Sequence, residues 1–123
     1  LHDYEAAIAA FQEAQNVPGY GSRVRNYLGQ CFEELGWLEE AVGTYRNAID
    51  QHSTETDDLA MELRYGLMRS LARKAEEKRN LPAAEEALKV ASEIAIKQIN
   101  YRDIRERRTA LGELVETLKK SGG

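Results

Sequence analysis

Residues that could perform acid–base or nucleophilic chemistry are few in this sequence. Its two histidines, His2 and His52, lie at one terminus and in a polar stretch, and its single cysteine is Cys31. A general base works only when neighbouring groups orient it, and neither histidine has a nucleophile and a carboxylate at a supporting spacing. Cys31 falls on the apolar face of a predicted helix, where we expect a buried, unreactive thiol. We therefore expect no catalytic residue and no enzymatic activity.

Metal and cofactor sites have equally little support. Paired carboxylates occur at positions 33–34, 39–40 and 76–77, but a metal would need further ligands from another helix, and no such spacing is visible. One cysteine cannot form an internal disulfide or a cysteine-rich zinc site. The glycine patterns GxGxxG and GxxxxGK[ST], which bind phosphates, do not occur in the sequence. We expect no metal and no cofactor.

Polar side chains that can hydrogen bond share one face on each of two predicted helices. Arg23, Asn26 and Gln30 are three and four residues apart, and Arg69 and Arg73 are four apart, so each set shares one face of its helix. Guanidinium and amide groups of this kind can hydrogen bond to the backbone or carboxylate of an extended peptide. The alternative is an ordinary solvated helix face.

Length and composition exclude several classes of protein. The 123 residues suit one globular domain, and 42% hydrophobic with 31% charged residues excludes a disordered tail. The net charge of −4 has the wrong sign for a general nucleic-acid binder. No stretch approaches the roughly 18 apolar residues of a membrane-spanning helix, and the first residues lack the layout of a signal peptide. With the single cysteine, this predicts a cytoplasmic or cytoplasmic-facing protein that binds no nucleic acid and has no membrane span.

Apolar residues recur at helical spacing along the chain, and no useful length alternates with period two. The sequence therefore predicts an all-α fold. Ser22 is expected to cap a helix that runs to Leu35, and Gly36 is expected to end this helix by adopting the left-handed backbone conformation. Asn80 followed by Pro82 is expected to begin a later helix that runs to about Ile99. The other predicted helices cover 38–51, 57–79 and 102–119.

The chain also contains an internal repeat. A shift of 34 positions superimposes Phe11 on Tyr45, and a shift of 43 superimposes Tyr45 on Leu88, while alanines at 14, 48 and 91 follow the same two shifts. Small residues let helix axes approach closely, and the bulky residue fills the gap between them. A helix pair cannot cover its own apolar stripe, so such pairs must stack.

The copy that starts near Ser22 resembles the tetratricopeptide repeat, a unit of two antiparallel helices. The matching residues are Leu28, Gly29, Phe32, Gly36, Ala41, Tyr45 and Ala48. Residues 101–111 are also similar to the closing segment of many bacterial proteins of this type. The resemblance implies an αα-superhelix. Residues 1–21 would form the second helix of a truncated first repeat and a linker, and residues 22–55 would form a complete repeat. Residues 56–99 would form a degenerate repeat with an extended first helix, and residues 100–123 a C-terminal capping helix and tail.

In this family the first helices of the repeats line a concave groove. The resemblance therefore implies a non-enzymatic scaffold that binds a protein or peptide partner through Arg23, Asn26, Gln30, Arg69 and Arg73. Gln30 and Arg73 depart from the Lys/Asn set of members that clamp a terminal carboxylate.

Two alternatives concern exposed apolar residues. The surface around Ile8 and Phe11 is expected to be exposed, which predicts an assembly module that associates with an identical or different chain. Trp37 is either a packing aromatic or an exposed anchor for a partner.

Overall fold

The protein is described by a computed structural model, which covers residues 3–52 and 57–122. All regular secondary structure in these two ranges is helical, as the sequence predicts. The helices are α1 (Tyr4–Ala14), α2 (Gly21–Glu34), α3 (Leu38–Gln51), α4 (Asp58–Lys78), α5 (Leu81–Lys97) and α6 (Ile104–Gly122). The chain forms two compact units, and the boundary between them lies within α4, between Leu67 and Met68.

The turn between α2 and α3 has the predicted form. Gly36 has a φ of +77°, the left-handed region in which glycine has no steric penalty. The N–H of Trp37 donates to the carbonyl of Phe32, and the N–H of Gly36 donates to the carbonyl of Glu33, both at 2.9 Å. These two bonds satisfy carbonyls that the last turn of a helix leaves without partners. The prediction for Gly36 is confirmed, and α3 has its predicted bounds.

Two helix starts differ from the prediction. Ser22 does not cap α2, because the N–H of Val24 already donates to the carbonyl of Tyr20 at 3.0 Å and the first turn begins at Gly21. The last helix begins at Ile104 and not at Arg102, whose φ of +43° is incompatible with a right-handed helical turn.

Side-chain caps fix the starts of α4 and α5. The Asp57 carboxylate accepts a hydrogen bond from the N–H of Ala60 at 2.8 Å, and the Asn80 side chain accepts one from the N–H of Ala83 at 2.9 Å. Pro82 follows in the first turn of α5, where a missing N–H costs no helical bond. The start predicted for α5 is confirmed, although this helix ends at Lys97 and not at Ile99.

Tyr45 of α3 is the centre of the first unit's core. Its side chain is 0% exposed, and its hydroxyl donates to Oε1 of Glu33 at 2.5 Å. The ring lies against the backbone of Gly29 in α2 and of Gly66 in α4, so closely that a Cβ on either glycine would fall within 2.6 Å of the ring atom Cζ. Glycine at these two positions is what allows a full-sized ring to sit between the helices.

Helix α1 packs against α2 and covers part of the apolar surface expected to be exposed. Ile8 is only 7% exposed. Phe11 is half-buried, and its ring stacks on that of Tyr27 with 5.7 Å between centroids. The expectation of exposure is therefore wrong for Ile8 and holds only in part for Phe11, and association through these residues stays a prediction.

The second unit packs α5 against α6. Alanine dominates the buried face of α5, and Ile104, Leu111, Val115 and Leu118 form the buried face of α6. None of the helices in the described ranges is long and apolar enough to cross a membrane.

Candidate functional site

A groove of about 530 Å³ opens on the first unit, lined by residues from α1, α2, α3 and the turn after α1. Most of its lining is polar, and five of its side chains end in a primary amide. We call it the amide groove. Its residues are Gln12, Gln15, Asn16, Arg25, Leu28, Phe32, Glu40, Gly43, Thr44, Asn47 and Gln51.

One face of α3 supplies nearly half of the lining. Glu40, Thr44, Asn47 and Gln51 are three or four residues apart, so they follow one stripe along the helix. The Thr44 hydroxyl donates to the backbone carbonyl of Glu40 at 2.8 Å, which holds that side chain against its own helix. Gly43 lies beside this stripe, and a Cβ there would meet nothing within 4 Å. The stripe is therefore set on a regular helix with open space beside it.

The groove combines hydrogen-bonding walls with an apolar floor. Leu28 and Phe32 of α2 are buried and contribute the apolar surface. The amides of Asn47, Gln51 and Gln15 each offer donors and an acceptor. An extended peptide backbone presents N–H and C=O groups in alternation, so a wall that can both donate and accept is suited to binding it.

The predicted binding residues on α2 have different environments. Arg23 and Gln30 are exposed, whereas Asn26 is buried and its amide donates to Oε2 of Glu62 in α4 at 3.2 Å. Arg23 and Asp57 line the same surface pocket, and the charge of Arg23 contributes, after the Ala60 N–H and His52, to the lowered pKa of Asp57. Asn26 thus joins α2 to α4.

Arg69 and Arg73 belong to the second unit. Both are half-buried in α4. The guanidinium of Arg73 lies 3.5 Å from the carboxylate of Glu77, one helical turn further on. Their role in binding stays a prediction, as does that of Arg23, Asn26 and Gln30.

The residues that could perform nucleophilic or acid–base chemistry lie in environments that suit a structural role. Cys31 is buried, as expected, and burial, followed by the nearby charge of Glu34, raises the pKa of its thiol. Nε2 of His52 lies 2.9 Å from both carboxylate oxygens of Asp57. The backbone N–H of Ala60 and then His52 lower the pKa of Asp57, so this carboxylate stays ionised while it caps α4. His2 lies outside the described residues.

Trp37 has features both of a packing aromatic and of an exposed anchor for a partner. Its ring stacks on Phe32 with 5.9 Å between centroids, yet 45% of the residue is exposed. Within residues 3–52 and 57–122, no three His, Cys, Asp or Glu side chains come together as a metal site would require.

The amide groove is not among the predicted sites. The predicted binding residues lie on the first helices of the repeats, whereas the groove takes its amides from α1, α3 and the turn after α1. The signal was present in α3, where Thr44, Asn47 and Gln51 form a polar stripe at helical spacing. What could not be read is that Gln12 and Gln15 lie across from it.

No protein-family model, no curated protein and no solved structure matches the chain.

Proposed function

We propose that the chain is a non-enzymatic protein-interaction module that binds an extended segment of a partner protein in the amide groove. The observation that carries the proposal is the pairing of five amide side chains with an apolar floor formed by Leu28 and Phe32. Amides satisfy the backbone of an extended segment, and the floor accepts its inward side chains.

The packing of the first unit supports this proposal. Tyr45 fixes α3 against α2 and α4, so the groove wall on α3 is held by a fully buried ring. A wall that is already ordered adds little entropy cost of its own when a peptide binds, while the cost of ordering the peptide remains.

The resemblance to tetratricopeptide repeats supports the same class of function. We propose that the helix pairs stack as an αα-superhelix and that the chain acts as a cytoplasmic scaffold for another protein. The close contact of Gly29 with Tyr45 is in keeping with that resemblance, since small residues on one helix accept a bulky residue from the next. The proposal places the binding segment against α1 and α3 in preference to the predicted face of α2.

A displayed library of random peptides tests this function with the purified chain. Selected peptides are titrated against the chain, against Asn47→Ala/Gln51→Ala, and against Gln30→Ala as a matched control. Gln30 is an exposed amide on α2 outside the groove lining. Loss of two peptide hydrogen bonds should weaken binding about tenfold in the double variant. The control should bind as the unaltered chain does.

Two other outcomes would reject the groove assignment or the peptide-binding function itself. If Arg23→Glu, Gln30→Ala or Arg69→Glu/Arg73→Glu weakens binding while Asn47→Ala/Gln51→Ala does not, the predicted arginine and amide residues are the site and the groove assignment is wrong. If selection returns no peptide that binds in solution, the peptide-binding function is wrong.

A further inference from the structure

Two large apolar side chains are exposed where α5 ends. Ile96 is 85% exposed and Ile99 is 49% exposed. Single exposed apolar residues are common on protein surfaces, but these two are three residues apart in the chain. Beside them a groove of about 430 Å³ is lined by Leu88, Ile99, Arg105, Arg108 and Thr109. Ile99 lines this groove, and Ile96 lies two helical turns after the lining residue Leu88 on the same side of α5.

Two arginines of α6 border this groove. Nη2 of Arg105 donates to Oδ1 of Asn100 at 2.6 Å, and Nε of Arg108 donates to Oγ of Ser92 at 3.3 Å. Ser92 lies one helical turn before Ile96, so the second bond draws Arg108 towards the exposed isoleucine. We call Leu88, Ile96, Ile99, Arg105 and Arg108 the basic apolar patch.

The charges of these two arginines are not neutralised within the described chain. Asn100 and Ser92 are neutral acceptors, and no carboxylate in residues 3–52 and 57–122 pairs with either guanidinium. Arg107 on the same helix shows the contrast, because its Nε lies 3.1 Å from the carboxylate of Asp103. Each unneutralised guanidinium is held near its neighbour by one hydrogen bond and keeps further N–H donors.

We propose that the basic apolar patch docks an acidic amphipathic segment of a partner protein, in which carboxylates flank apolar side chains. The apolar side chains would cover Ile96 and Ile99, and the carboxylates would pair with Arg105 and Arg108 in the planar geometry that guanidinium favours. The chain carries a net charge of −4, so a local positive site selects an acidic partner that the rest of the surface repels. This docking site is independent of the amide groove and of the function proposed for it.

Nuclear magnetic resonance titration of the full chain tests the docking site. The probe is a synthetic helical peptide with leucines on one face and glutamates on both flanks, and its matched partner has glutamine in place of every glutamate. Saturable shifts should be confined to the end of α5 and the start of α6. We expect the glutamine peptide to bind about tenfold more weakly, the size expected for two exposed ion pairs.

Three variants separate the patch from general charge effects. Arg105→Glu/Arg108→Glu should weaken binding of the acidic peptide at least as much as the glutamine exchange does. Lys119→Glu/Lys120→Glu makes the same change in net charge at exposed positions near the end of α6 and should bind normally. Ile96→Ser tests the apolar part without touching a charge. Because Ile96 is 85% exposed, this variant should keep its helical circular dichroism and lose affinity.

Four results of the titrations would overturn the proposal, and one result with vesicles would do the same. The four are the absence of saturable shifts, equal binding of the two peptides, equal weakening by the Lys119/Lys120 control, and patch shifts that depend on the concentration of the chain alone. The last would make a second copy of the chain the occupant. Adsorption to vesicles that contain phosphatidylserine, without peptide binding, would make the patch a membrane surface and would equally reject a protein partner.

Discussion

Replacing Gly29 by alanine tests the packing around Tyr45 most directly. The new Cβ would lie 2.6 Å from Cζ and 2.7 Å from Cε1 of the ring, whereas carbon atoms pack at roughly 3.5–4.0 Å. The ring has no free space to enter, since Tyr45 is fully buried and its hydroxyl is bonded to Glu33. Overlap of about 1 Å must therefore be relieved by movement of the helices.

The expected change in the free energy of unfolding follows from two opposing effects. Overpacking a core costs about 1–3 kcal/mol, and a ring that cannot rotate away places this site at the upper end. Alanine in place of glycine within a helix contributes about 1 kcal/mol in the opposite direction. We expect Gly29→Ala to lower the free energy of unfolding by about 2 kcal/mol. Gly66→Ala should behave alike, because its Cβ would lie 2.5 Å from the same Cζ.

Urea unfolding followed by circular dichroism measures this effect, and Gly43→Ala is the matched control. Gly43 is also within a helix, but a Cβ there meets nothing within 4 Å, so this variant should gain about 1 kcal/mol from helix propensity alone. The two variants are therefore expected to shift stability in opposite directions. A Gly29→Ala protein as stable as the Gly43→Ala protein would refute the packing described for Tyr45.

Three further predictions concern a cap, a buried hydroxyl and a turn. The pKa of Asp57 is lowered by the N–H of Ala60 and then by His52, so its ionised form stabilises the fold above the ordinary aspartate pKa, and this stabilisation is lost as pH falls below about 4. Asp57→Asn, which retains a capping oxygen, should lose less stability in that range; identical acid profiles in urea titrations would contradict this. Ser70 is fully buried, and its Oγ has no hydrogen-bond partner within residues 3–52 and 57–122, so Ser70→Ala should be neutral or stabilising by about 1 kcal/mol. A thermal transition that falls markedly in this variant would show that the hydroxyl has a partner. Gly36→Ala should lose about 1 kcal/mol, because its φ of +77° strains any other residue, and unchanged urea stability would exclude that strain.

The local signals of this sequence predict most helix boundaries because they act within one turn. Asn80 and Pro82 mark the start of α5 through a side-chain acceptor and a missing donor, both of which matter only in the first turn. Gly36 ends α2 because left-handed geometry at one residue allows two backbone bonds to close. The start of α2 was missed because the backbone of Tyr20 continues the turn without any side-chain cap.

The candidate site was less predictable because it depends on contacts between helices. Spacing along α2 placed Arg23, Asn26 and Gln30 on one face, but spacing cannot show that Glu62 of α4 accepts the Asn26 amide and that Asn26 is buried. Likewise, the polar stripe on α3 becomes a groove only because Gln12 of α1 and Gln15 of the turn after it line the same space.

The sequence alone determined that this protein is all-α and where most of its helices begin and end, since apolar period, caps and glycine geometry are local properties of the chain. Only the tertiary structure decided that Ile8 is covered, that Tyr45 lies against Gly29 and Gly66, and that Arg105 and Arg108 have neutral partners. These facts depend on which surfaces of different helices meet, and packing between residues that are far apart in the sequence decides which surfaces those are.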